Sequence, residues 1–189
     1  MRRVVSIVFI IVGVVLLSVA TYDYMTTKVS TDQAISRAAE VVEESKEIEK
    51  VEAFQPELGE PVGVLTIPKL DVSLPIIEGT EEEMLAKGVG HFTSTAWPSE
   101  GEQILLSGHR DTVFKNFGEL EVGDVFIVEL SYGTFEYEMR SHTIVDKDDT
   151  SIIREMGEEV LTLSTCYPFH LLGAAPERYV IYAQPVENN

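Results

Sequence analysis

Residues 160–166 read Val-Leu-Thr-Leu-Ser-Thr-Cys, and the interpretation of the rest of the chain starts from this segment. Apolar and polar residues alternate along it, as in a β-strand with one buried face. Tyr167 and Pro168 follow and end the predicted strand. Cys166 is the only cysteine in 189 residues. A lone thiol at a strand end is a candidate nucleophile, but free cysteine is also among the most commonly buried residue types, so both roles are open.

From residue 62 onward the chain consists of short apolar segments separated by turn residues, with a short helix predicted after Thr80. Eight strands at this spacing predict a mainly β protein with a closed or partly closed barrel, because βαβ units would need longer helices between strands. The predicted strands are residues 62–67, 72–77, 88–92, 103–108, 125–130, 134–145, 160–166 and 179–183.

The N-terminus resembles a membrane anchor. Residues 4–20 form a run of 17 uncharged residues that follows Arg2 and Arg3. As a helix this run would cover about 25 Å, at the short end for a membrane crossing. The arginines predict a cytoplasmic N-terminus, with the remainder of the chain outside the cell. We therefore interpret residues 1–24 as an uncleaved anchor; a signal peptide cleaved after Ser18-Val19-Ala20 is the alternative.

Residues 25–61 are predicted to form an acidic, partly helical linker, because apolar residues recur there near helical spacing until Pro56, Gly59 and Pro61. The folded domain is then predicted to span residues 62–189. The whole chain has a net charge of -18. This charge argues against nucleic acid or anionic lipid as a ligand, since both need clustered Lys and Arg. It is compatible with an amine-bearing partner.

A thiol nucleophile needs a partner, and the four histidines are the candidates. His109 is best placed, because it directly follows a strand end, as Cys166 ends its own strand. His91 is the second choice. His142 is predicted to be a surface or packing residue, whereas His170, four residues after Cys166, could reach the thiol if Pro168 did not turn the chain away. Export would favour a catalytic role for Cys166, because a single cysteine cannot form an intramolecular disulfide and an exposed thiol is open to oxidation.

Arg178 stands at the beginning of the last predicted strand, among apolar residues. A guanidinium there could donate hydrogen bonds to an oxyanion, as acyl transfer requires. The alternative is a salt bridge with Glu177 or another of the many acidic residues.

Together these segments resemble the sortases, the membrane-anchored cysteine transpeptidases of Gram-positive bacteria. Thr162-Leu163-Ser164-Thr165-Cys166 matches the T-L-x-T-C signature of the family, and Ser107-Gly108-His109-Arg110-Asp111 matches the segment that carries its histidine. Arg178 follows Cys166 by 12 positions, in the range of the family arginine. The resemblance covers about residues 56–186 together with the N-terminal anchor.

The resemblance implies a closed eight-stranded sortase-type β-barrel with short helices, preceded by a transmembrane helix. It implies that Cys166 is the nucleophile, His109 the general acid and base, and that Arg178 stabilises the oxyanion and positions substrate. Thr165 would contribute to substrate binding. Class D sortases are the most similar, with classes A and E as alternatives. The pilus-building class is not favoured, because a second hydrophobic run and an Asp-Pro-aromatic motif are lacking.

The implied substrates are secreted proteins with an LPxT-type C-terminal sorting signal, cleaved after Thr and joined through a thioester to an amine of peptidoglycan or its precursor. The implied location is the cell membrane, with a single pass through residues 4–20 and an extracellular catalytic domain. No cofactor or metal ligand is assigned. Calcium is an alternative through Glu78 with Glu81–Glu83, or through Asp146, Asp148 and Asp149, although neither set has the spacing of a defined calcium loop.

Two other functions stay open on the residues alone. One is an exported cysteine hydrolase that uses water as the acceptor, and the other is a non-enzymatic, membrane-anchored β-domain.

Overall fold

The predicted strands are present, and they are somewhat longer at several ends than the sequence indicated. The computed structural model describes residues 2–44, 54–170 and 173–186. The eight strands are β1 Pro61–Ile67, β2 Val72–Glu78, β3 Val89–His91, β4 Gln103–Gly108, β5 Val125–Leu130, β6 Gly133–Asp146, β7 Val160–Tyr167 and β8 Glu177–Pro185.

These strands close into a barrel in the order β1-β2-β3-β4-β7-β8-β6-β5, with β5 paired back onto β1. Neighbouring strands are antiparallel except for β2 with β3 and β4 with β7, which are parallel. The sequence left open whether the barrel is closed, and the structure shows that it is. Closure removes the free sheet edges that would otherwise invite pairing with other chains.

The two-residue alternation along each strand defines which side chains fill the barrel. Leu106 on β4, Leu161 and Leu163 on β7, and Ile181 on β8 all belong to the buried core. The residues between them on each strand therefore face the outside of the wall. This alternation decides on which side of the barrel each candidate residue lies.

The N-terminal helix is much longer than predicted. Helix α1 (Arg2–Glu44) continues without a break through the predicted boundary between anchor and linker at residues 24 and 25. Ala34 and Ala38 of this helix are buried, and the helix contacts β1 and β2. The predicted linker residues 45–53 lie outside the described residues.

The transmembrane helix predicted at residues 4–20 is not found. Within the part of the chain that the structure describes, no helix combines the length and the apolar character that a membrane crossing needs. The uncharged run of 17 residues is at the lower limit of the usual length.

The short helix predicted after Thr80 is confirmed as α2 (Glu82–Leu85). The segment predicted as a short helix or irregular turn near residues 113–120 contains a 3-10 turn at Phe117–Glu119.

Candidate active site

Three neighbouring strands bring the candidate residues together at one end of the barrel wall. In the parallel pair β4–β7, Gly108 lies opposite Thr165. In the antiparallel pair β7–β8, Cys166 lies opposite Arg178. His109 follows the last residue of β4, as Cys166 follows Thr165. The backbone positions of His109, Cys166 and Arg178 are therefore adjacent in a row across three strands.

Two of these residues, Cys166 and Arg178, belong to the outer face of the wall. Leu163 on β7 and Tyr179 on β8 point into the core, so the alternation places Cys166 and Arg178 on the opposite face. His109, Cys166 and Arg178 are all partly exposed. A reacting group needs this combination of fixed backbone and access to a substrate.

Thr165 lies on the inner face and joins two of these strands. Its hydroxyl Oγ1 donates a hydrogen bond of 2.7 Å to the carbonyl oxygen of Gly108, and the residue is only 2% exposed. The bond links the ends of β4 and β7 next to His109 and Cys166. The described geometry thus gives Thr165 a positioning role, whereas the substrate contact implied by the sequence stays a prediction.

His109 has one acidic neighbour that the sequence did not indicate. Its Nε2 lies 3.7 Å from Oε1 of Glu82, the first residue of α2. The Glu82 side chain is 89% exposed, so solvent weakens this ion pair. The His109 carbonyl accepts a 2.8 Å hydrogen bond from the Phe114 N–H, which closes the turn after β4. Only the fold brings α2 beside the end of β4, and no local pattern predicts it.

The guanidinium of Arg178 is held by the backbone. Its Nη1 donates a 3.1 Å hydrogen bond to the carbonyl oxygen of Glu177. Among the described residues, no carboxylate lies within ion-pair distance of Arg178. The salt bridge with Glu177 that the sequence offered as an alternative is therefore absent from the described part of the chain.

His91, the second-choice partner for the thiol, has a side chain that is buried in the barrel. It is 1% exposed, and its Nδ1 is 2.7 Å from Oε2 of Glu78, which is also buried. Its Nε2 lies 3.1 Å from the carbonyl oxygen of Ala96, which can only accept, so Nε2 carries a proton and donates. The ring stacks on Trp97 at 3.7 Å between centroids. Because both nitrogens are engaged, His91 fits a structural role.

The structure also describes the two remaining histidines. His142 on β6, predicted to be a surface or packing residue, stacks on Tyr179 with ring centroids 5.0 Å apart. His170 is exposed after β7.

The acidic groups considered for calcium have protein partners. Glu78 binds His91. Asp146 accepts a 2.9 Å hydrogen bond from the Asp148 N–H, and Asp149 accepts one of 2.8 Å from the Ser151 N–H. Hydrogen bonding from the Ser151 side chain, and then from its N–H, holds the pKa of Asp149 below its usual range. Within residues 2–44, 54–170 and 173–186, no group of three or more His, Cys, Asp or Glu side chains is arranged to hold a metal ion.

A thiol beside an imidazole and a guanidinium is suited to acyl transfer. The thiol can attack a carbonyl carbon, the imidazole can move a proton, and the guanidinium can stabilise the negative charge that develops on oxygen.

Comparisons with known proteins agree with this chemistry. A family model described as the sortase domain matches residues 65–186, which include His109, Cys166 and Arg178. Sortase D of Bacillus subtilis (strain 168) is 43% identical over 197 residues, an alignment that covers 98% of this chain and 100% of the relative.

Solved structures show the same barrel. A Sortase D5 transpeptidase of Clostridium perfringens superimposes with a TM-score of 0.66 and 26% identity, covering 80% of this chain and 99% of that one. Sortase C of Clostridium perfringens, solved with the C-terminal cell wall sorting motif, superimposes with a TM-score of 0.65 over 87% of this chain and 91% of that one; at 23% identity this likeness concerns the fold. The chain therefore belongs to the sortase family of cysteine transpeptidases.

Proposed function

We propose that this protein cleaves an LPxT-type C-terminal sorting signal after its Thr and joins the released protein to an amine of peptidoglycan or its precursor. The observation that carries the proposal is the row of His109, Cys166 and Arg178 at the neighbouring ends of three adjacent strands. The substrate class is supported by the related sortase C of Clostridium perfringens, whose structure contains the C-terminal cell wall sorting motif.

In the first half of the reaction, Cys166 gives its thiol proton to His109, Sγ attacks the carbonyl carbon of the signal Thr, and the carbonyl π electrons move to oxygen. N–H groups of Arg178 stabilise this oxyanion. When the oxyanion collapses, the bond to the following residue breaks and His109 gives a proton to the departing amine. A thioester between Cys166 and the signal Thr remains.

In the second half, the acceptor amine attacks the thioester carbonyl and loses a proton to His109. The Cys166 thiolate leaves, and a new amide bond joins the protein to the acceptor. The net charge of -18 is compatible with an amine acceptor but does not identify it.

The test is incubation of the 189-residue chain with a fluorescent LPxT peptide, with and without an amine such as a glycine oligomer. We expect a conjugate that forms only with the amine, a slower hydrolysis product without it, and neither product with Cys166→Ala. Mass spectrometry should find the peptide acyl group on Cys166 in the wild-type chain.

Two results would favour the other functions. Hydrolysis that the amine does not divert would indicate a cysteine hydrolase. A Cys166→Ala chain that still performs the cellular role would indicate a non-enzymatic β-domain.

We also propose that the protein is located at the cell membrane, with a cytoplasmic N-terminus and an extracellular catalytic domain. The support is the uncharged run at residues 4–20 and the exposure of apolar side chains in it, such as Ile10 (65%), Val14 (57%) and Leu17 (70%). A helix that is apolar all round needs an apolar environment. We expect the chain to sediment with membranes after an alkaline wash, and Val14→Asp with Leu17→Asp to release it. Recovery of the wild-type chain in the supernatant would contradict this location.

A further inference from the structure

Two chain connections border the candidate active site. The β7–β8 connection joins the strand that carries Cys166 to the strand that carries Arg178. The β4–β5 connection begins with His109. A contact between the two connections therefore sets the distance between the side of the site with His109 and the side with Cys166 and Arg178.

The first such contact is made by Arg110, which directly follows His109. Its Nη2 donates a hydrogen bond of 2.7 Å to the carbonyl oxygen of Gly173 in the β7–β8 connection. Arg110 is partly buried, although it borders an exposed turn. Gly173 has a φ of +91°, in the left-handed region that favours glycine, so the presentation of its carbonyl depends on a special backbone conformation. Hydrogen bonds from charged donors are stronger than those between neutral groups.

The second contact is apolar. The ring of Phe169 packs against Gly118 of the β4–β5 connection so closely that a Cβ added at Gly118 would lie 2.9 Å from the ring. Edge-to-face contacts with Tyr167 at 5.3 Å and Tyr179 at 5.2 Å between centroids orient the Phe169 ring. The β7–β8 connection is thus held at two separate points, one polar and one apolar.

We propose that Arg110 is a positioning residue that holds the β7–β8 connection against the β4–β5 connection and so shapes the approach of the peptide to Cys166. The part that concerns the peptide rests on the proposed function. The strand pairs that hold Cys166 opposite Arg178, and Gly108 (the residue before His109) opposite Thr165, do not involve the Arg110 side chain. Loss of the Arg110 contact should therefore weaken peptide binding more than it slows the chemical step.

The test compares Arg110→Met, which keeps the apolar stem and removes the donors, with Arg140→Met in the 189-residue chain. Arg140 is a matched control, because it is an arginine on β6 that forms a salt bridge with Glu138, 2.8 Å away, and not with the β7–β8 connection. Hydrogen exchange of the amides at residues 173–175 should accelerate by about threefold to tenfold in Arg110→Met, as expected for the loss of one exposed hydrogen bond. Exchange in Arg140→Met should match the wild type.

Kinetics give a second measurement. For the LPxT peptide, Arg110→Met should raise KM by a larger factor than it lowers kcat, because the catalytic row is intact. Gly118→Ala displaces the Phe169 ring and should also raise KM. The double variant should be less than additive, because both contacts hold one connection.

Wild-type exchange at residues 173–175 together with a wild-type KM in Arg110→Met would overturn the inference. If the wild-type chain does not process the peptide, the proposed function is wrong, and the exchange measurement alone then decides whether Arg110 holds the connection.

Discussion

Replacement of Thr165 with valine removes one buried hydrogen bond at the point where the strands of His109 and Cys166 meet. Valine has nearly the same shape, so the barrel loses the hydroxyl and keeps its packing. The carbonyl oxygen of Gly108 loses a donor that now lies 2.7 Å away, in a position that is 2% exposed. Water cannot replace this donor without entering the wall.

The expected cost is that of a buried hydrogen bond with its acceptor left behind. It amounts to about 2 kcal/mol of unfolding free energy, which corresponds to a decrease in Tm of roughly 4–8 °C for a chain of this size. The activity should fall as well. The bond holds Gly108 of β4 against Thr165 of β7, and these two residues directly precede His109 and Cys166. Urea unfolding and the peptide conjugation assay measure the two effects.

Thr165→Ser is the matched control. It keeps the hydroxyl and loses one methyl group, which costs about 1 kcal/mol, so it should be mildly destabilised and still active. A Thr165→Val chain with wild-type stability and activity would refute the positioning role. Wild-type stability with lost activity would instead favour the direct substrate contact that the T-L-x-T-C resemblance implied.

Three further predictions concern single residues. His91→Ala should lower the unfolding free energy by about 3–5 kcal/mol, because it leaves the buried carboxylate of Glu78 without its partner. His109 is partly exposed, and a loss of unfolding free energy in His91→Ala as small as that in His109→Ala would contradict the structural role. Three backbone N–H groups, those of Met156, Gly157 and to a smaller extent Gln103, donate to the Glu102 carboxylate and lower its pKa. A lowered folded-state pKa stabilises the protein above the unfolded-state pKa, and this stabilisation is lost as the pH falls through the folded value. The stability advantage over Glu102→Gln should therefore be largest near neutral pH and shrink below about pH 4 in urea unfolding, and a difference that is independent of pH would refute this. Arg178→Lys should lose most conjugation activity, because an ammonium does not reproduce the guanidinium fork; wild-type rates would exclude the oxyanion role.

The strand positions were predictable because the signals are local. The segments 103–108 and 125–130 match β4 and β5 at both ends, and β7 extends only one residue beyond the predicted segment. Side chains that alternate between core and outer face produce this pattern wherever one face is buried, and turn residues mark the ends.

The helix at the N-terminus was less predictable. The apolar pattern of residues 25–61 is thin, so the sequence indicated a partial helix, whereas α1 continues to Glu44. The burial of Ala34 and Ala38 shows that packing stabilises this part, and alanine gives little hydrophobic periodicity by which to recognise it.

The sequence by itself determined the reactive groups and their places at strand ends, because a lone cysteine, a histidine after Gly108 and an arginine entering a strand are local features. Tertiary structure decided that Cys166 lies opposite Arg178, that Thr165 turns inward onto Gly108, and that Arg110 reaches Gly173. These contacts join segments far apart in the chain. They exist because β7 lies between β4 and β8 in the closed barrel, and that order depends on how the whole core packs, which no single segment encodes.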